Sequence, residues 1–171
     1  QYFSGQPVRS RSRQTHVPSL LASGQAESSM AFLYVQDVYR GLEPAVKRGQ
    51  ITRLRVVREM PKTVRIHPDK RAFGFQFPVV SCGATYAPKK VWGFADVEPD
   101  GSAAFQVPSE VPIYFLALDG EGRALQRMRS FTHLMPGEVQ GCVGCHANRN
   151  SATTRGATQL AMRGGVQPLK E

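Results

Sequence analysis

The chain is 171 residues long and 41% hydrophobic, which is enough for one domain with a proper core and is unlike the polar composition of a disordered protein. Its formal net charge of +9 arises from 22 basic and 13 acidic residues, spread along the chain with small clusters at Arg9–Arg13, Arg53–Arg58 and Lys89–Lys90. Such a charge suits nucleic acid, an anionic membrane surface or an acidic redox partner, but no aromatic-interleaved basic helix or RNP-like strand accompanies it, so no nucleic-acid partner is expected; solvated basic faces are the first reading and an acidic redox partner the second.

The opening Gln1-Tyr2-Phe3-Ser4 lacks a basic stretch followed by an apolar one, so the start reads as a processed or excised end. No apolar run approaches the length of a membrane span, which argues against a transmembrane segment. Residues 1–30 are rich in Ser, Gln and Arg, are broken by Pro7 and Pro18, and read as an extended N-terminal arm.

Residues 31–150 carry the folded domain. Phe32 to Tyr39 is dense in aromatic and β-branched residues and stops at Gly41, predicting a first strand. After a turn at Lys47-Arg48-Gly49-Gln50, Ile51 to Arg58 alternates apolar with basic residues, as a half-buried strand with a basic solvent face does. From Pro61 to Pro88 the pattern loosens into a long excursion that holds His67, Cys82 and the stripe Phe73, Phe75, Phe77.

Lys90 to Val97 then predicts a strand and Ser102 to Val107 a returning one, with Asp100-Gly101 at the tip of a hairpin because glycine supplies the positive φ of a tight turn. Val111 to Leu118 predicts a long central strand, with Tyr114, Leu116 and Leu118 on one face and Ile113, Phe115 and Ala117 on the other. Asp119-Gly120-Glu121-Gly122 turns, and Arg123 to Met128 leads back. The fold class expected is mainly β, an antiparallel β-sandwich-like domain with a C-terminal c-type haem-binding loop or short helix.

That loop contains Cys142-Val143-Gly144-Cys145-His146. CxxCH is the attachment signature of c-type haem: two thiols spaced to add across two vinyl groups, and the next histidine carried to the iron. Cys142 and Cys145 are accordingly the expected thioether residues, and His146 the proximal iron ligand. A zinc half-site, a thioredoxin-like dithiol, or structural cysteines beside a surface histidine are the alternatives. A zinc site needs two more ligands, while Cys82 stands alone and reads first as a small buried hydrophobe. A dithiol needs a strand-CxxC-helix context, whereas this motif follows Pro136-Gly137-Glu138 and is trailed by Arg/Ser/Thr-rich sequence.

For the distal iron position His133 is the leading candidate, flanked by Met128 and Met135, with a polar strand residue as its ordinary reading. Met162 in the tail is a weak axial candidate, while His16 in the arm could reach a haem edge but reads first as solvated. Residues 151–171 read as a C-terminal tail or linker, with a short helix around Ala157 to Arg163.

The ordered set Asp37-Val38-Tyr39-Arg40-Gly41-Leu42, Val46-Lys47-Arg48-Gly49, Asp100 to Pro108, Pro112 to Asp119, Met128-Arg129-Ser130, Pro136-Gly137-Glu138 and the CxxCH motif resembles the middle domain of the hydrazine synthase alpha-subunit family. The resemblance implies one covalent haem c on a planctomycete-type exported protein, hence a periplasmic or similar location, with other domains of a larger multihaem protein or a redox protein as partner. It also implies a catalytic haem whose iron is held by a tyrosine one turn beyond the motif; the matching position here is Asn150, a poor iron ligand. The sequence therefore favours an electron-transfer domain, with a redox enzyme acting on a small nitrogen or oxygen compound through an open iron as the alternative.

Overall fold

The computed structural model of the chain describes residues 29–60, 88–145 and 159–171. The N-terminal arm, the Pro61–Pro88 excursion up to residue 87 with His67, Cys82 and its phenylalanine stripe, and residues 146–158 lie outside the described residues.

Alternation decides which residues build the core. In β1 (Met30–Val35) every second side chain is buried, placing Ala31, Leu33 and Val35 inward. β4 (Ala103–Pro108) answers with Ala103, Phe105 and Val107, paired antiparallel so that Leu33 stands opposite Phe105. β7 (Val139–Cys142) lies on the other side of β1 and runs parallel to it, giving a sheet of order β4-β1-β7.

A second sheet has the order β3-β2-β5-β6, formed by β3 (Lys89–Asp96), β2 (Arg53–Glu59), β5 (Ile113–Leu118) and β6 (Ala124–Arg127), all antiparallel. Leu54 and Val56 of β2 and Ile113, Phe115 and Ala117 of β5 join the core made with the first sheet. Phe105, fully buried, meets the partly buried Phe115 edge to face with centroids 5.9 Å apart, and a fully buried side chain of this size contributes about 1.5–3 kcal/mol. The fold is thus mainly β, as expected, and β5 is a central strand between β2 and β6, buried at Ile113, Ala117 and Leu118.

Two readings need correction. Asp100-Gly101 does turn the chain, through Gly101 N–H to the Glu98 carbonyl at 2.8 Å, but β3 and β4 are not a hairpin. They belong to different sheets, so the turn is a crossover between layers. The first strand also ends early: Asp37 accepts the Tyr39 N–H at 3.1 Å, which bends the backbone. Tyr39 leaves the strand to become a buried post, its hydroxyl donating to the Ile51 carbonyl at 3.1 Å and accepting from Gly49 and Ile51 N–H at 2.9 and 3.0 Å.

The C-terminal residues close one side of the sandwich. After the short helix α1 (Leu160–Gly164), Gln167 bridges Phe105 of β4 and Lys170 bridges Phe94 of β3, so one segment spans the outer edges of both sheets. It seats closely because Trp92-Gly93 interrupts the β2–β3 register and Gly93 adopts φ +146°; a Cβ there would stand 2.6 Å from the Lys170 carbonyl oxygen. The opposite side, between β6 and β7, has no such strap among the described residues.

Candidate functional site: a cavity beside the CxxC motif

The parallel pairing of β1 and β7 positions the motif. A turn closed by Glu138 N–H to the Met135 carbonyl at 3.0 Å launches β7, and Gly137 N–H bonds to the Met30 carbonyl at 2.9 Å. Register then sets Cys142 beside Val35, with Gln36 N–H bonded to the Cys142 carbonyl at 2.9 Å. Beyond Cys142 the chain folds over the turn that follows β1. Gly144 makes this possible: a Cβ at that position would lie 2.6 Å from both Cβ and the carbonyl oxygen of Arg40, and 2.9 Å from the carbonyl oxygen of Asp37. Cys142 and Cys145 are both partly buried against the core, as free thiols.

Both thiols face a cavity of about 310 Å³ between β6 and β7, within the range of small-ligand sites. Val35, Leu54, Phe115 and Ala117 form its apolar floor. Gln126 and Met128 stand on the β6 side, Gln140 and Cys142 on the β7 side. Phe131 and Thr132 bound the mouth, where the Thr132 hydroxyl bonds to Gln140 Oε1 at 3.0 Å.

Burial pushes the Cys145 thiol up to about 11, helped by the neighbouring Cys142 and by Asp37, and burial raises Cys142 as well. At neutral pH both sulfurs are therefore protonated. Protonated thiols are poor metal ligands, because the thiolate is the form that binds a cation. No cluster of three or more His, Cys, Asp or Glu side chains able to hold a metal ion occurs among the described residues.

His146 follows Cys145 directly and lies outside the described residues, as does Asn150. His133 is exposed; it sits between Thr132, which lines the cavity, and Leu134, which is fully buried, and it is not part of the lining. Met135 is also exposed, and Met162 is exposed on α1, which packs on β4 at the opposite side of the sandwich. Of the proposed distal candidates among the described residues, Met128 alone lines the cavity. Local sequence carried no signal for Gln126, Gln140 and Thr132, because these residues are brought together by the pairing of β6 with β5, of β7 with β1 and of Thr132 with Ile113.

A second feature is the outer face of the four-stranded sheet. Arg53 and Arg55 stack over Phe94 at 5.2 and 5.3 Å, and Lys89 over Tyr114 at 5.8 Å. This is the basic solvent face anticipated from the alternation in β2.

Residues 49–147 match the family described as the hydrazine synthase alpha subunit middle domain. The chain belongs to that family. A curated relative, hydrazine synthase subunit alpha of Kuenenia stuttgartiensis, is 33% identical over 64 residues, covering 37% of this chain and 8% of the relative. The solved structure of Kuenenia stuttgartiensis hydrazine synthase superposes with a TM-score of 0.57 at 20% identity, over 84% of this chain and 21% of that one. The chain thus spans a small part of the length of each of these relatives. At that identity the superposition establishes a shared fold, and the match across residues 49–147 includes the CxxC segment and His146.

Proposed function

We propose that this chain is a haem c domain that relays single electrons within, or for, a larger exported redox protein. The observation that carries the reading is the convergence of Cys142 and Cys145 on one apolar-floored cavity. Cys142 and Cys145 would hold the haem through thioethers, each S–H and vinyl π bond being exchanged for one C–S and one C–H bond with no net gain or loss of electrons. His146, the residue after Cys145, takes the proximal iron position in this reading. The bound haem would supply one-electron cycling between ferric and ferrous states.

Electron relay is favoured over catalysis by the chemistry of the walls. The described lining consists of aliphatic and aromatic groups, amides, hydroxyls, two thiols and one thioether. It provides no acid or base for the proton transfers that reduction or coupling of small nitrogen compounds demands. Asn150, at the position where the family resemblance implies an iron-binding tyrosine, points the same way. The partners in this reading are other domains of the larger protein or a separate redox protein, and the location is periplasmic or an equivalent exported compartment.

The test is the intact mass of protein matured in a haem-attaching host and extracted with acidic acetone. One haem retained, with incomplete attachment in Cys142→Ala and Cys145→Ala, is the expected result. Loss of all haem, or a zinc ion in its place, overturns the reading. The isolated chain should cycle between ferric and ferrous forms without forming hydrazine.

A further inference from the structure

We infer that Met128, and not His133, is the side chain that closes the distal iron position; this rests on the haem reading above. Three observations converge on it. Met128 follows β6, and its backbone N–H bonds to the Phe115 carbonyl at 2.9 Å, which fixes it beside the cavity floor. It lines the wall across from β7, the strand that carries Cys142. It also supplies the one strong iron-ligating atom in the described lining besides the two thiols. The remaining polar groups there, on Gln126, Ser130, Thr132 and Gln140, are amide and hydroxyl groups, which are weak ligands for haem iron.

His133 has the better donor atom but the wrong placement. Its neighbours Thr132 and Leu134 are held inward, the first by antiparallel pairing with Ile113 and the hydrogen bond to Gln140, the second by complete burial. Turning His133 into the cavity would break that pairing and expose Leu134. Methionine needs no such rearrangement, because its unbranched thioether adapts to the space it has. Met128 ligation also suits a relay, since an occupied sixth position excludes small ligands and a thioether raises the reduction potential relative to a second histidine.

The experiment uses the haem-loaded full chain and the variants Met128→Leu, Met128→His, His133→Ala and Met135→Leu. Covalent haem is first verified by the pyridine haemochrome spectrum, which reports on the haem reading independently of axial ligation. The expected result is a ferric long-wavelength iron–thioether charge-transfer band that is lost in Met128→Leu and kept in His133→Ala and Met135→Leu. Carbon monoxide should bind the ferrous Met128→Leu protein readily and the others slowly. Met128→His should restore a six-coordinate low-spin spectrum without that band, which separates ligation from a packing defect. Haem attached with the band absent, or surviving in Met128→Leu, overturns the ligand assignment alone; no covalent haem at all overturns the function reading and the assignment with it.

Discussion

Replacing Gly93 by alanine tests whether the C-terminal strap holds the two sheets together. The new Cβ would fall 2.6 Å from the Lys170 carbonyl oxygen and 2.9 Å from Leu169 Cβ, too close for the strap to remain where it is. Its departure removes two backbone hydrogen bonds of 2.8 Å between Phe94 and Lys170, at about 1 kcal/mol each. It also removes the packing of Leu169 on the core, worth about 1 kcal/mol for a partly buried side chain, and the exposed ion pair of Lys170 with Asp96, which adds little. Alanine at φ +146° carries a further strain of about 1–2 kcal/mol whether or not the strap is present. Gly93→Ala should therefore cost about 4–5 kcal/mol in the full chain and only about 1–2 kcal/mol in a chain lacking residues 166–171. Urea unfolding of the haem-free protein reads this directly, because Trp92 is the single tryptophan and packs on the core beside this segment. Equal costs in the two backgrounds would refute the reasoning, since the penalty would then be backbone strain alone.

Gly144→Ala should unseat the motif loop from the Asp37–Arg40 turn, with a loss of about 2–3 kcal/mol typical of a forced overpacking, and with lower haem occupancy by absorbance per protein; unchanged occupancy and stability would show that the loop has room to shift. The Cys145 thiol, ordinarily at 9.0 and raised to about 11 here, should make the haem-free fold less stable with rising pH. The contribution is fully present below pH 9 and is lost between pH 9 and 11, because there the unfolded chain releases a proton that the folded one keeps. Cys145→Ser should flatten the stability profile across that interval; a profile that stays equally steep would place the dependence elsewhere.

What could be read from the sequence was whatever short-range pattern determines. The period-two alternation of Arg53 to Val56 and of Ile113 to Ala117 marked both strands, which lose their strict alternation of burial at Val57 and Leu118, and Asp119 to Gly122 marked a true hairpin between β5 and β6. The same turn chemistry misled at Asp100-Gly101, since a glycine at positive φ turns the chain without deciding which sheet it enters next. Val139 to Cys142 escaped notice as a strand: it is short, half-exposed and holds a glycine, and it is extended because β1 pairs with it. The tail likewise has linker-like composition, and its place in the fold comes from two sheet edges and the space over Gly93. The motif cysteines stand out by their spacing, while the cavity they line is a product of pairings that no local pattern encodes.

The parallel pairing of Val35 with Cys142 joins positions roughly a hundred residues apart. Contacts of that sequence separation close late, because the intervening loop must lose its freedom before any contact rewards it. The motif therefore spends the early part of folding as an open, unpaired segment. Once β7 docks, the same thiols are withdrawn from solvent and held protonated. On the haem reading this sets an order of events: the thioethers would form while the chain is still unfinished, and the fold would then close over a bond already made. Slow docking of the final strand would thus act as a timer for maturation, and any change that hastened it would trade a better folder for an emptier protein.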